Sequence, residues 1–310
     1  MSDELRLKRA LEAALDTLPH FFLSKEGGWG YQGGKQAFIE PTSYAILALL
    51  HRAEKHQRLI DSGVNFIKSC QCADGTWGIK PGDGGGTWLV AKAILALYAA
   101  RQTEAAQKLC QYLLSIKDGY DGRVTAELKN MNKKIFRLDI TAHGWPYTPG
   151  TASWVEPTAY AILALAVCGY PLMGRQREAI RYLETRKTTT GGWNYGNPYV
   201  FDQVFPAFPL PTAAALIALR RAGVSPKSQL LQKGLKTLTD KVPRLVSHRS
   251  IALTALCLAE FGSKAHQEAL LNQLCLNKAG WLSRRDPVVT SLAALTFIRL
   301  MGGDPFGPKQ

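Results

Sequence analysis

No stretch of this chain is apolar for the roughly 20 residues that a membrane span needs. The longest apolar run, near Ala159 to Val167, falls far short. Acids are scarce: 24 Asp and Glu against 38 Lys and Arg leave a formal charge of +14 over 310 residues. That excess draws the surface toward anions such as phosphates, carboxylates and acidic lipid headgroups. No basic run and no nucleic-acid-binding motif gathers it, because Lys and Arg are scattered over amphipathic segments, so nucleic acid is not an expected partner. The six cysteines show no disulfide spacing; Cys70, Cys110, Cys168, Cys257 and Cys275 fall within helical segments, which points to a reducing compartment. Cys70-Gln71-Cys72 has neither a second pair nor a neighbouring His, so no metal site is expected, and no cofactor. The start Met1-Ser2-Asp3-Glu4-Leu5-Arg6 lacks an apolar signal core, so a cytoplasmic protein that can be peripheral to a membrane is expected. No Ser/Gly linker or charge run divides the chain, and residues 1–310 read as one domain.

What is present is a repeat. Apolar helical cores run over 40–49, 87–100, 156–165, 210–219, 248–261 and 286–300. Their starts lie about 40 to 70 residues apart, which suits about six helical hairpins. Between them, segments near 3–23, 57–71, 103–117, 172–187, 227–240 and 264–277 are amphipathic, with apolar residues at i, i+3 and i+4. Helices apolar all round belong inside and one-faced helices belong outside. Six of each, alternating, predict an all-α fold, a single α/α barrel (an α6/α6 toroid) of inner and outer helices. The region from Asp118 to Thr141, with its charged run Lys129 to Arg137, is expected to be the least regular.

The turns between outer and inner helices read Gly27-Gly28-Trp29-Gly30-Tyr31, Asp74-Gly75-Thr76-Trp77-Gly78, Gly144-Trp145-Pro146-Tyr147, Gly191-Gly192-Trp193-Asn194-Tyr195-Gly196 and Gly280-Trp281. Glycine lets a chain leave a helix in a left-handed conformation, and the indole can cover the hairpin end. Gln71-Cys72-Ala73-Asp74-Gly75-Thr76-Trp77 also fits the Gln-(spacer)-Gly-x-Trp pattern of the squalene cyclase repeat. With these copies, the chain resembles the prenyltransferase and squalene oxidase repeat family, and within it a single-barrel class II terpene cyclase. The resemblance spans nearly the whole chain. It implies acid-initiated cyclisation, of the isomerase or lyase kind, at the start of an inner helix, where class II cyclases carry Asp-x-Asp-Asp-Thr-Ala. The best match is Trp154-Val155-Glu156-Pro157-Thr158-Ala159: Glu156 falls on the middle, proton-donating acid, while Trp154 and Pro157 replace the outer two.

An architectural reading stands beside that one. Glu40-Pro41-Thr42 repeats the triplet and Asp286-Pro287 its acid-proline core, each opening an inner helix. A proline in the first turn and a carboxylate near the positive end of the helix dipole are both favourable. Glu40, Asp286, Asp202 and Asp83 are therefore further acids to consider, Asp83 within the glycine-rich 82–86 and Asp202 in the loop 197–209. The prolines of that loop are expected to forbid regular structure, and its rings suit an entrance lid.

Aromatic side chains gather at the same turns: Trp145, Tyr147, Trp154 and Tyr160, then Trp193, Tyr195, Tyr199, Phe201 and Phe205, with Trp29, Trp77 and Trp88 in the first third. Such faces can line a pocket for an isoprenoid chain and steady carbocations through cation–π attraction, about 0.5 to 2 kcal/mol per contact. They can equally fill a core. The residues thus support a class II terpene cyclase-like enzyme acting on an isoprenoid (terpenoid or meroterpenoid) or other apolar small molecule. The competing reading is a non-catalytic isoprenoid- or lipid-binding or protein-interaction barrel. A prenyltransferase β-subunit would need zinc held by Asp, Cys and His, and no Asp-x-Cys lies on an inner turn. The oligomeric state is left open, and the charge leaves an anionic membrane surface as a second partner.

Overall fold

The computed structural model describes residues 3–32, 34–84, 86–120, 125–263, 266–276 and 286–308, so the Gly280-Trp281 turn and Gly85 lie outside the described residues. The fold is all-α. In chain order the helices are α1 (Asp3–Thr17), α2 (Ile39–Leu49), α3 (Ala53–Ser69), α4 (Val90–Ala99), α5 (Thr103–Ser115) and α6 (Ala126–Ile135). They continue as α7 (Val155–Val167), α8 (Arg175–Thr185), α9 (Pro209–Arg221), α10 (Gln229–Thr239), α11 (His248–Glu260), α12 (Gln267–Leu276) and α13 (Pro287–Leu300). Each expected segment overlaps one of these helices; α6 is additional, in the stretch expected to be irregular. The first helix stops at Thr17 rather than running to residue 23, because Pro19 has no amide to donate, and a short 3₁₀ turn, Leu18–Phe21, follows. None of the described helices is long and apolar enough to cross a membrane.

The chain divides into two compact units, residues 1–109 with 245–310, and residues 110–244. In the first, α2 packs on α4 and α13, and α11 on α13, while α3 and α12 lie against α2 and α11. In the second, α7 packs on α9, with α8 against α7 and α10 against α9. The apolar pattern explains the division of labour: every residue of α2 is buried, whereas α3 buries one face only.

One device is used three times to join a glycine-tryptophan turn to the next inner helix. Trp29, Trp145 and Trp193 are fully buried. Their indole N–H groups donate to the carbonyls of Leu18, Leu113 and Leu183 at 2.9, 2.7 and 2.7 Å. Their backbone amides donate to the hydroxyls of Thr42, Thr158 and Thr212 at 2.9, 2.8 and 2.9 Å. Those threonines sit in the first turns of α2, α7 and α9, so the threonine after each proline stitches helix to turn. The approach is close enough to require glycine before the indole: a Cβ on Gly144 would lie 2.2 Å from the Thr158 hydroxyl.

Among the described residues there are also three short antiparallel pairs. Phe22–Leu23 pairs with Gly28–Trp29, and Trp145–Pro146 with Ser153–Trp154. The third, Tyr199–Val200 with Gln203–Val204, corrects the expectation of an irregular 197–209 loop. Its strands fit between Pro198 and Pro206, so neither proline removes a ladder bond.

Candidate functional site

The start of α7 is fixed by strand pairing before the helix begins. Trp145 lies opposite Trp154 in the short ladder. Trp154 takes an extended conformation, φ −131° and ψ 156°, and serves as N-cap without a side-chain cap bond. Glu156 is the second helical residue, near the positive end of the helix dipole. The Tyr147 hydroxyl donates to its Oε2 at 3.2 Å. The Tyr147 ring lies tilted against Trp154 with centroids 5.9 Å apart. From the next turn the Tyr195 carbonyl accepts from the Val155 amide at 2.8 Å, and the Tyr195 ring meets Phe208 at 5.9 Å. Gly196 is the other half of that approach, since a Cβ there would come within 2.8 Å of the Trp154 ring. Burial, and then the Glu156 carboxylate, push the Tyr147 phenol far above its ordinary pKa, so it remains a donor to the carboxyl. The structure thus brings Tyr147 and Trp154 together beside half-buried Glu156, with the Tyr195 carbonyl held on the adjacent Val155 amide.

Glu40 has the same sequence neighbours and a different setting. It is 5% exposed and forms an ion pair with Lys92, itself 2% exposed, from α4. The Lys92 ammonium also lies 4.4 Å from the Trp88 ring centroid and 5.4 Å from that of Tyr44. Burial is the largest influence on Glu40 and pushes its pKa up. The Lys92 and Arg249 charges and hydrogen bonds from Lys92 and Tyr31 together outweigh burial and leave it below the ordinary value. A carboxyl so held stays ionised. Tyr31 and Arg249 also line an open cavity of about 700 Å³, together with Val246, His248, Asp286 and Val289.

The other acids serve the backbone or the surface. Asp286 is the N-cap of α13, accepting from the amides of Val288 and Val289 at 3.0 and 3.1 Å. Asp286 occupies the N-cap position itself, whereas Glu40 and Glu156 are the second residues of their helices, behind the N-caps Phe38 and Trp154. Asp83 accepts from the Ile79 amide at 3.3 Å inside its own loop. Asp202, at the tip of the hairpin, pairs with Arg137 at 2.9 Å and accepts from the Tyr199 hydroxyl.

The aromatic candidates separate in the same way. Trp29, Trp145 and Trp193 have no exposed surface, and Trp77 and Tyr160 are 4% and 5% exposed, all within the packing. Trp88 faces Lys92. Tyr199, Phe201 and Phe205 lie on the hairpin, with Phe201 70% exposed. Lys92 and Arg249 escaped the sequence reading, although a signal existed for the first. A lone lysine in the apolar run Val90-Ala91-Lys92-Ala93-Ile94 can be buried only with a partner.

Known proteins share this fold. No protein-family model matches the sequence. A type II terpene cyclase of Scytonema, MstE, superposes with a TM-score of 0.60 at 14% identity, over 94% of this chain and 98% of that chain. Its complex with the substrate geranylgeranyl dihydroxybenzoate gives 0.59 at 15% identity, over 96% and 99%. In fold, the chain is similar to the type II terpene cyclases, α/α-barrel proteins. Lanosterol synthase of Saccharomyces cerevisiae is 22% identical over 165 residues, 51% of this chain but only 21% of the synthase. Salmonella alpha-2-macroglobulin also matches, at a TM-score of 0.52 and 18% identity over 92% of this chain and 17% of that protein. One fold thus serves unlike proteins, and the chemistry has to be argued from the side chains.

Proposed function

We propose that this chain is a class II terpene cyclase-like enzyme in which Glu156 protonates the terminal alkene of an isoprenoid chain. The observation that carries the reading is the Tyr147 hydroxyl donating to Glu156 in the first turn of α7, with the Trp154 ring against Tyr147 and the Tyr195 carbonyl on the neighbouring Val155 amide. The acid form of Glu156 gives its proton to one alkene carbon, leaving a cation on the other. Neighbouring double bonds close rings onto that cation, and loss of a proton from carbon ends the sequence, so product and substrate are isomers. Aromatic faces steady each cation by about 0.5 to 2 kcal/mol per contact. The Tyr147 hydroxyl holds the carboxyl in one orientation. Glu40, kept ionised by Lys92 and Arg249, does not donate a proton in this scheme.

The substrate of MstE supplies a suitable probe. With geranylgeranyl dihydroxybenzoate, Glu156→Gln is expected to lower turnover by about 10²-fold or more, because the acid is lost while its size is kept. Glu156→Asp, which keeps an acid, is expected to retain more activity than Glu156→Gln. Equal turnover by wild type and Glu156→Gln removes Glu156 from the chemistry. Tight binding of the probe by wild type without any product makes the chain an isoprenoid-binding protein instead.

A further inference from the structure

We infer that the face formed by α6 and the Tyr199–Val204 hairpin docks on an anionic lipid bilayer, with Phe201 and Phe205 entering the apolar layer and the α6 lysines meeting lipid phosphates. The first observation is a set of exposed apolar side chains: Phe201 at 70%, Val204 at 55%, Phe205 at 43% and, on α6, Met131 at 49%. The second is the backbone beneath them. Phe201 and Asp202 are consecutive non-glycine residues with φ of 45° and 61°, a left-handed conformation that costs energy for a side chain as large as phenylalanine. The two-residue turn so formed leaves the Phe201 ring largely in solvent.

The hairpin is not loose. The Phe201 amide donates to the Ile135 carbonyl at 2.9 Å, and the Phe136 and Phe201 rings lie 6.5 Å apart. The Arg137 guanidinium sits 3.9 Å over the Tyr199 ring while pairing with Asp202. The hairpin and the end of α6 therefore present their groups together. Lys129 and Lys133, at i and i+4 on α6, and Arg137 just beyond its end line a cleft of about 350 Å³, with exposed Lys134 on the same helix. Asp139, which also lines the cleft, is paired with Arg181 at 2.6 Å, and Asp202 with Arg137; α6 itself carries one acid, Glu127, against Lys129, Lys133 and Lys134, so the face stays net positive.

Charge complementarity selects the occupant. A bilayer rich in acidic headgroups presents negative charge above an apolar layer, the same order as lysines flanking projecting phenyl rings. Nucleic acid offers the charge but no apolar layer for Val204 and Met131. With no described helix able to cross a membrane, the contact is peripheral.

The test is co-sedimentation of the purified chain, without isoprenoid, with phosphatidylcholine vesicles containing or lacking phosphatidylglycerol. Binding is expected only to the anionic vesicles, weakening as salt screens the lysines. F201S/F205S and K129E/K133E are each expected to lower the partition coefficient at least ten-fold while circular dichroism and Tm stay at wild-type values. K25E/K227E, which makes the same charge change at exposed sites elsewhere, is expected to bind as wild type does. Failure to bind anionic vesicles, equal loss in K25E/K227E and K129E/K133E, wild-type binding by F201S/F205S, or binding to single-stranded RNA alone would each overturn the inference. Because no turnover is read, the result is independent of the cyclase proposal.

Discussion

Glu40 and Glu156 occupy one position of a repeated triplet, yet the chain gives them opposite surroundings. Lys92 reaches Glu40 through the core, and removing one partner of a buried pair leaves the other charge uncompensated. Glu40→Gln is expected to cost about 3 to 5 kcal/mol in urea denaturation at neutral pH. Joint replacement of Glu40 by Leu and Lys92 by Met is expected to cost much less than the single change, and a double variant no more stable than Glu40→Gln would contradict the pairing argument. The gap depends on pH with a definite sign. Because the folded-state pKa of Glu40 lies below its ordinary value of 4.5, its stabilisation is fully present above that value. It is lost as pH falls through the folded value. Wild type and Glu40→Gln should therefore converge in stability on acidification. The triplet was legible in the sequence, and so was Tyr147 in the turn before Glu156, but the setting of Glu40 was not, because its deciding groups, Lys92 and Arg249, come from other segments.

The glycine-tryptophan turns could be read directly because their chemistry is local: a glycine, an indole and a threonine in the next helix. Their function as stitches needed the structure, which shows each threonine hydroxyl accepting from the tryptophan amide. Thr158→Val keeps the shape and removes that acceptor from the buried Trp145 amide, at an expected cost of about 1 to 3 kcal/mol. Faster hydrogen exchange at the Trp145 amide should accompany it, and an unchanged midpoint with unchanged exchange would show that the stitch contributes nothing. The elements that sequence reasoning missed have weak local signals. Helix α6 has only Leu128, Met131 and Ile135 as large apolar residues, and its start is marked by the Thr125 hydroxyl accepting from the Leu128 amide. The hairpin has strands of two residues, too short for any alternation to show.

Across the described residues, the alternation of wholly apolar and one-faced segments was enough to specify an all-α fold of inner and outer helices, since burial largely follows that pattern. Treating residues 1–310 as one cooperative domain predicts coincident urea transitions by circular dichroism and tryptophan fluorescence. Two separated transitions would instead assign independent stability to 110–244 and the remainder. The fold leaves function open, being shared with terpene cyclases and with alpha-2-macroglobulin. Acid-initiated cyclisation leaves an isotopic mark that binding alone cannot. The decisive measurement is mass spectrometry of geranylgeranyl dihydroxybenzoate after incubation with wild-type protein in H2O and in D2O. Proton donation from a solvent-exchanged Glu156 predicts a cyclised product with the substrate's mass in H2O and one deuterium on carbon in D2O, formed about 10²-fold more slowly by Glu156→Gln. Recovery of unchanged substrate, or a cyclised product without deuterium, would contradict it.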